Sequence, residues 1–235
     1  MSTQKYPLFC IGNPLLDIQV INGEDLLKKY NLKANDAILA EEKHLPLYDE
    51  IVKNHKVTYV AGGASQNAAR GAAYVLPPNS VVYTGSVGDD DLADQLRAAN
   101  KREGLQEAYQ VQKGDQTGAC AVIITDHHRS LVTTLRAAEK FDKAHLAKPE
   151  IAALVDAAKF YYVEGYFLTH GTESAVEIAK KAADAGKVRA HAPLRAVAHT
   201  PQVFAINLSA PFIPQFFKLQ LEQLIPHCDI IIGNE

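Results

Sequence analysis

A glycine pair followed by small and polar residues, within residues 60–74, is the stretch of this sequence best suited to hold a ligand. β-Branched and aromatic residues at 57–61 predict a buried strand, and apolar residues at helical spacing after Ser65 predict a helix. Because Gly62 and Gly63 lack a Cβ, a ligand can approach the backbone and the unpaired N–H groups of the helix start. Asn67 adds a side-chain donor and acceptor. An ordinary tight connection would explain the glycine pair equally well.

The spacing of these glycines differs from the spacing found in two common phosphate-binding loops. No Gly-x-Gly-x-x-Gly fingerprint is present, and no Gly-Lys-Ser/Thr follows the pair. Two polar residues, Asn13 and Asp17, follow the apolar strand predicted at 8–11. Ligands of open α/β sheets bind at the carboxyl ends of central strands. We therefore expect Asn13, Asp17 and Gly63 to converge on one cleft.

Strands and helices alternate along most of the chain, which predicts an α/β fold with a mainly parallel sheet and right-handed crossovers. Strands are predicted at 8–11, 18–21, 37–40, 57–61, 81–84, 160–164, 204–208 and 229–232. Further helices are predicted at 25–30, 45–52, 92–103, 151–158, 173–185, 211–217 and 219–224. Thr172 is the expected N-cap of the helix at 173–185, and Gly186 its end.

Two strands predicted at 118–125 and 130–135 interrupt this alternation. Only the polar turn Asp126-His-His-Arg129 separates them, so they must form an antiparallel hairpin. We expect the hairpin to pair with the strands at 18–21 and 37–40 and to form a lid over the cleft. His127 and His128 could bind a metal, but neighbouring positions point apart and no third ligand is evident, which favours solvated turn histidines.

The composition is typical of a globular protein that binds small molecules. Its 235 residues, 47% of them apolar, can bury the core of one large α/β domain. The net charge is −3 and the basic residues are scattered, which argues against nucleic acid and membranes as partners. Three distant cysteines favour reduced thiols over a disulfide or zinc site. We expect a cytoplasmic protein, with the nucleus as a second compartment.

Residues 188–202 form the least regular segment of the sequence. They show neither helical nor strand periodicity and contain two prolines, where a helix normally passes to its strand through a short connection. Lys187-Val188 also resembles Gln202-Val203. We predict an inserted surface loop without a functional role.

Four motifs in order along the chain resemble those of the ribokinase-like sugar and nucleoside kinases. They are Gly12-Asn-Pro-Leu-Leu-Asp17, Ala61-Gly-Gly-Ala-Ser-Gln-Asn67, Asn207-Leu-Ser-Ala-Pro-Phe212 and Ile232-Gly-Asn-Glu235. The resemblance implies a ribokinase-like three-layer sandwich with a mainly parallel central sheet and a small β lid. Residues 1–235 would form one partial kinase domain, with lid strands at about 17–40 and 117–136. The implied reaction is phosphoryl transfer from Mg-ATP to the 5′-hydroxyl of adenosine, giving AMP in purine salvage.

The resemblance also implies a set of substrate-binding residues. Asp17 would hold the ribose hydroxyls, a role that suits a carboxylate because it can accept two hydrogen bonds from a vicinal diol. Gly63 and Asn67 would complete this ribose site, and Asn13 would contact the nucleoside. For Asp17 and Asn67 we favour these roles clearly over a structural one.

Further residues are implied around the base and the phosphates. Phe167 would stack on the purine, and Cys120, Leu131 and Leu135 would form the apolar face of the lid, although core packing is an alternative for all four. Arg129 would reach the transferring phosphate as a catalytic residue, with a solvated turn residue as the alternative.

On the nucleotide side, the resemblance implies that Asn207 and Asn234 bind the cofactor, with Asn234 in the motif associated with Mg²⁺. Ala37 and Ala64 stand where some family members have polar side chains near the base, so base specificity is open. The family's Gly-Ala-Gly-Asp loop, with its general base and anion hole, does not occur in this sequence.

We therefore expect the chain alone to be inactive or nearly so, and the full-length form to be a monomer. A non-catalytic nucleoside-binding fragment and a sugar kinase of the same family are the alternatives. An NAD-dependent dehydrogenase ranks last because the glycine spacing does not fit.

Overall fold

The computed structural model describes residues 6–187 and 202–233, which contain thirteen strands and eight α-helices. The strands are β1 (Leu8–Ile11), β2 (Leu15–Ile21), β3 (Ala37–Leu39), β4 (Thr58–Gly62), β5 (Val81–Thr84), β6 (Ser86–Gly88), β7 (Gln106–Glu107), β8 (Gln110–Gln112), β9 (Gly118–Thr125), β10 (His128–Thr134), β11 (Phe160–Glu164), β12 (Val203–Asn207) and β13 (Ile230–Ile232). The helices are α1 (Glu24–Lys29), α2 (Pro46–Asn54), α3 (Ala64–Val75), α4 (Asp91–Arg102), α5 (Pro149–Ala157), α6 (Thr172–Lys187), α7 (Phe212–Phe216) and α8 (Lys218–Leu224).

Six parallel strands form the central sheet, in the order β13-β12-β11-β1-β5-β7. Two of its interior strands, β1 and β5, are almost wholly apolar, as expected for a parallel sheet covered on both faces. Because side chains alternate along a strand, Phe9 and Ile11 belong to a core with Ile178 of α6, whereas Cys10 packs with Ala69 of α3. The predicted α/β fold, with helices on both faces of a mainly parallel sheet, is confirmed.

A second sheet of five strands, in the order β3-β10-β9-β2-β4, is called the lid below. The predicted hairpin is present in it, because β9 and β10 are antiparallel neighbours. β2 runs parallel to β9 and antiparallel to β4. Successive side chains of a strand point to opposite faces of the sheet. On one face of the lid, Val20 packs with Leu26 of α1 and Leu47 of α2. Asp17 and its register partner Cys120 belong to the opposite face.

Two predictions for the residues around the glycine pair were wrong. The strand predicted to be buried at 57–61 is partly exposed, because β4 is an edge strand of the lid that pairs with β2 alone among the described strands, and its Tyr59 is 40% exposed. The strand predicted at 18–21 begins at Leu15, so Asp17 lies inside a lid strand and not in the loop after β1. This places Asp17 on the lid and Asn13 at the central sheet.

Two smaller predictions about element ends were also wrong. Helix α6 includes Thr172 as its first residue and continues through Gly186, so neither residue has the predicted capping position. The turn of the hairpin is shorter than predicted, since β10 begins at His128 and already contains Arg129. The excursion predicted at 188–202 lies, apart from Gln202, outside the described residues.

Two further features bear on the function classes considered. Cys10, Cys120 and Cys228 are all free thiols, as the sequence predicts. Within residues 6–187 and 202–233, no helix combines the length and the apolar character that a membrane crossing requires.

Candidate functional site

A cavity of about 340 Å³ lies between the carboxyl edge of the central sheet and the inner face of the lid. Nine residues predicted for the site contribute to its wall. They are Asn13, Asp17, Gly63, Asn67, Cys120, Arg129, Leu131, Leu135 and Asn207. The expected convergence of Asp17 and the glycine pair is therefore present. The wall also includes Ala37 and Ala64, the two alanines expected near the base.

Asp17 provides the carboxylate of the cavity. It sits opposite Val60 in β4 and beside Cys120 in β9. Burial raises the pKa of its carboxyl to about 6, and the nearby Arg129 and Arg70 guanidinium groups counteract part of that rise. Asp17 is consequently a mainly ionised acceptor at neutral pH, held in surroundings that disfavour its charge.

The backbone bends sharply at Gly63, immediately before α3. Gly63 has a φ of +89°, in the left-handed region, and a Cβ there would lie 2.1 Å from the carbonyl oxygen of Asn13. The chain can thus pass directly against the loop after β1 only with glycine at this position. The bend aims the start of α3, with its unpaired N–H groups, at the same edge of the sheet as Asn13.

Buried polar side chains of α3 hold this corner in place. Ser65 donates from Oγ to the carbonyl oxygen of Ile11 at 2.8 Å, and Gln66 donates from Nε2 to that of Gly62 at 2.8 Å. Gln66 in turn accepts a hydrogen bond from the Tyr109 hydroxyl, which itself accepts one from Asn100. No pattern in the sequence indicates this network, because Asn100 and Tyr109 are distant from α3 along the chain.

Asn13 is fixed by two residues that sequence reasoning missed. Its backbone N–H donates to Glu164 Oε1 at 3.3 Å, and its side-chain Oδ1 lies 2.9 Å from His170 Nε2. Burial raises the pKa of Glu164 to about 8 and lowers that of His170 to about 4, so both are mainly neutral at pH 7. Glu164 also lines the cavity. Its place at the end of β11 is the signal that could have identified it.

Phe167, predicted to stack on a purine, lies elsewhere. It is fully buried and packs edge-on against Phe141, with ring centroids 5.5 Å apart, and is absent from the cavity wall. Tyr166 and Phe212 line the cavity instead, with ring centroids 5.8 Å apart. The reason is the 3₁₀ turn at Gly165–Thr169, in which successive side chains point about 120° apart.

The structure describes only some of the residues predicted to act near the phosphates and Mg²⁺. Arg129 lies on the exposed end of β10, close enough to Asp17 to lower its pKa. Asn207 accepts a hydrogen bond at Oδ1 from the Ser209 backbone N–H. Asn234 lies outside the described residues. Within the parts of the chain that are described, no three His, Cys, Asp or Glu side chains come together as a metal site, so no Mg²⁺ ligand is assigned.

A parallel α/β sheet whose carboxyl edge is covered by a β lid, with a carboxylate and a glycine bend between them, defines a small-molecule site. Residues 25–235 match the model of the pfkB family of carbohydrate kinases. This match covers most of the chain, and the chain belongs to that family.

Several known proteins that are highly similar to this chain are adenosine kinases. The chain is 67% identical to the adenosine kinase of Schizophyllum commune over 98% of its own length and 63% of that protein. Adenosine kinase of Anopheles gambiae, solved with P1,P4-di(adenosine-5) tetraphosphate, superposes with a TM-score of 0.89 at 39% identity, over 99% of this chain and 65% of the other. Adenosine kinase of Schistosoma mansoni, solved with adenosine in an occluded loop conformation, gives 0.87 at 32% identity, over 97% and 62%. The chain thus spans less than two thirds of the length of these relatives.

Proposed function

We propose that this chain forms the nucleoside-binding part of an adenosine kinase, which transfers a phosphoryl group from ATP to the 5′-hydroxyl of adenosine. The observation that carries the proposal is the convergence of the Asp17 carboxylate, the backbone bend at Gly63 and Asn67 on one cavity beneath the lid. The high identity to adenosine kinases and the ligands of the solved relatives support the same substrate.

The ribose is proposed to bind between the Asp17 carboxylate and the hydrogen-bond donors of Asn67 and the backbone at Gly63. The Asp17 carboxylate accepts hydrogen bonds from the two ring hydroxyls, and Asn67 and the amide-rich corner at Gly63 supply donors to the hydroxyl oxygens. Asn13 is proposed to contact the nucleoside from the opposite, central-sheet side. Burial of Asp17 strengthens its interaction with a hydroxyl that replaces its lost water.

The base is proposed to lie against the apolar part of the wall. Leu131, Leu135 and Cys120 on the lid side line the cavity together with Tyr166 and Phe212 on the central-sheet side. Two aromatic rings can stack on or against a purine, whereas a free sugar would leave this surface unused. The cavity volume of about 340 Å³ falls in the range of small-molecule sites, roughly 300–1,000 Å³.

Phosphoryl transfer is proposed to use the cationic end of the lid. Arg129 would offset charge on the transferring group, because positioning and charge stabilisation supply most of the acceleration in this reaction. Asn207 and Asn234 are proposed to bind the nucleotide. Mg²⁺ would neutralise charge on the phosphate oxygens of ATP when bound.

Three further proposals stay predictions: a monomeric full-length protein, a cytoplasmic and nuclear location, and little activity of this chain alone.

A sugar kinase is the second candidate, because the matching family model describes carbohydrate kinases. Calorimetric titration of the 235-residue chain with adenosine and with free ribose separates the two. We expect adenosine to bind at least about tenfold more tightly than ribose, because only adenosine fills the apolar wall. Equal binding of both would overturn the nucleoside assignment.

The role of Asp17 is tested in the same titration. Asp17→Ala should abolish measurable adenosine binding, whereas Asp49→Ala, at an exposed carboxylate on α2, serves as the matched control and should bind like wild type. AMP formation from ATP and adenosine, measured on the same samples, tests the prediction of little activity. Adenosine affinity unchanged in Asp17→Ala would remove the basis of the proposal.

A further inference from the structure

Arg70 lies one helical turn after Asn67 on α3 and joins three parts of the fold. Its Nε and Nη2 donate to the two carboxylate oxygens of Glu103, at 2.5 and 2.7 Å. Its Nη1 donates to the carbonyl oxygen of Ala61 in β4 at 2.5 Å and to Asn67 Oδ1 at 3.1 Å. The Arg70 side chain is only 17% exposed and that of Glu103 26%. Such a two-pronged, half-buried pair holds the guanidinium in one orientation.

This contact determines which end of the Asn67 amide faces the ligand. An arginine side chain can only donate hydrogen bonds, so the Asn67 atom beside it must be the carbonyl oxygen Oδ1. The amide nitrogen Nδ2, which can only donate, is left for the cavity that Asn67 lines. A ligand atom that meets Asn67 there must therefore be an acceptor, such as a hydroxyl oxygen.

Arg70 also acts on the neighbouring carboxylate. Its positive charge lowers the pKa of Asp17, as does that of Arg129 on β10, and together they oppose the effect of burial. Among the described residues, the Cys120 thiol of β9 also interacts with the charge of Asp17. Arg129 lies on an exposed strand end, whereas Arg70 is fixed by Glu103 at the end of α4. Of these two described arginines, Arg70 is thus the one held by a paired carboxylate.

We propose that Arg70 is a positioning residue of the sugar site, which presents Asn67 as a donor beside the Asp17 acceptor so that the two can bind adjacent hydroxyls. The identity of the ligand rests on the proposed nucleoside function, but the contacts of Arg70 do not depend on it. Arg70 does not line the cavity, and each of its three guanidinium nitrogens already donates to Glu103, Ala61 or Asn67.

The first test compares hydroxyl recognition in Arg70→Gln, Arg70→Lys and wild type. Calorimetry measures Kd for adenosine, 2′-deoxyadenosine and 3′-deoxyadenosine, with circular dichroism to verify folding. We expect Arg70→Gln to weaken binding about tenfold for adenosine and for the deoxy analogue that keeps the hydroxyl bound by Asn67, because one oriented hydrogen bond is lost. Binding of the other deoxy analogue should stay nearly unchanged. Arg102→Gln is the matched control: this arginine contacts the same Glu103 at 3.8 Å but is 70% exposed. It should bind all three ligands like wild type.

A purely structural role of Arg70 makes a different prediction. It would weaken adenosine and both deoxy analogues by the same factor, and that result would overturn the proposal. Arg70→Lys keeps the charge but loses the fork that holds Asn67, so it should show the same loss of hydroxyl discrimination as Arg70→Gln. If Arg70→Gln fails to fold, Arg70→Lys alone decides the question.

The second test needs no ligand. An NMR titration of the Asp17 carboxyl should show a higher midpoint in Arg70→Gln than in wild type, and an unshifted one in Arg70→Lys and Arg102→Gln. If wild type fails to bind adenosine, the nucleoside function is refuted while this titration still tests Arg70. An Asp17 midpoint that does not move in Arg70→Gln would overturn the proposed role.

Discussion

The carboxylate of Asp17 occupies the space that a side chain at position 62 would need. A Cβ built on Gly62 would lie 2.1 Å from Asp17 Oδ1 and 2.4 Å from its Cγ. The two residues are near neighbours across the β2–β4 pair, where Leu16 opposes Ala61 and Asp17 opposes Val60. The glycine is therefore required by the position of the carboxylate, and the carboxylate keeps its position only because the glycine is there.

Gly62→Ala tests this relationship. The added methyl group must displace the Asp17 carboxylate, so adenosine affinity should fall at least about tenfold, which calorimetry would measure. Gly71→Ala is the matched control, because a Cβ there meets nothing within 4 Å on an exposed part of α3. It should bind normally and gain roughly 0.5–1 kcal/mol of stability. Normal binding by Gly62→Ala would show that Asp17 does not need its present position.

The raised pKa of Asp17 predicts that removal of its charge stabilises the fold but weakens ligand binding. The folded protein holds the Asp17 proton more tightly than the unfolded chain, so the contribution of Asp17 to stability falls as pH rises from about 4 to about 6 and is constant above that. Asp17→Asn removes this loss. Its free energy of unfolding should exceed that of wild type by roughly 1–3 kcal/mol at about pH 7.5 and equal it below about pH 4. Urea denaturation at both pH values measures the difference.

The same substitution should weaken ligand binding. The amide introduced by Asp17→Asn would present one acceptor oxygen and no charge where the carboxylate presents two oxygens, so adenosine affinity at about pH 7.5 should drop while stability rises. Wild-type affinity should also decline as the pH is lowered through about 6, because Asp17 takes up a proton. A variant that is more stable and binds equally well would contradict the assigned role.

The positions of Tyr166 and Phe167 predict separate effects for two adjacent aromatic residues. Tyr166→Ala should weaken adenosine binding roughly tenfold, because its ring lines the cavity. Phe167→Leu should cost roughly 1–2 kcal/mol of stability and leave the affinity unchanged, because its ring lies in the core. Calorimetry and urea denaturation of both variants measure the two effects. The reverse pattern would place the stacking residue at Phe167 after all.

Much of the architecture could be predicted because local patterns determine it. Apolar runs marked the central strands, and two strands so close together had to form a hairpin. The cleft followed from the rule that ligands bind at the carboxyl ends of parallel strands, which brought Asn13 and the glycine pair together.

The errors arose where a local pattern has two tertiary outcomes. The residues of β4 are typical of a buried strand, but they do not reveal that it pairs with β2 at the edge of the lid. In the turn after β11, the phase of a 3₁₀ helix decides which of Tyr166 and Phe167 reaches the cavity. The contact between Arg70 and Glu103 joins residues 33 positions apart on different helices, and no sequence period connects them.

Glu164 carries the last prediction, which concerns alkaline pH. Complete burial raises the pKa of its carboxyl to about 8, and its Oε2 has no hydrogen-bond partner among the described residues. The folded protein therefore keeps a proton that the unfolded chain releases, so stability falls as pH rises from about 4.5 to about 8. Glu164→Gln keeps an acceptor for the Asn13 N–H and removes the ionisation.

We expect Glu164→Gln to unfold at a higher temperature than wild type at about pH 8.5 and at the same temperature near about pH 4.5. Glu222→Gln, at an exposed side chain of α8, is the matched control and should follow wild type throughout. His170 acts in the opposite direction in both variants: the unfolded chain protonates it more readily, so its contribution to stability declines as the pH falls from about 6.5 to about 4. Thermal unfolding across this pH range tests the assignment. Parallel curves for Glu164→Gln and wild type would mean that Glu164 is already ionised in the folded protein, with a partner that compensates its charge.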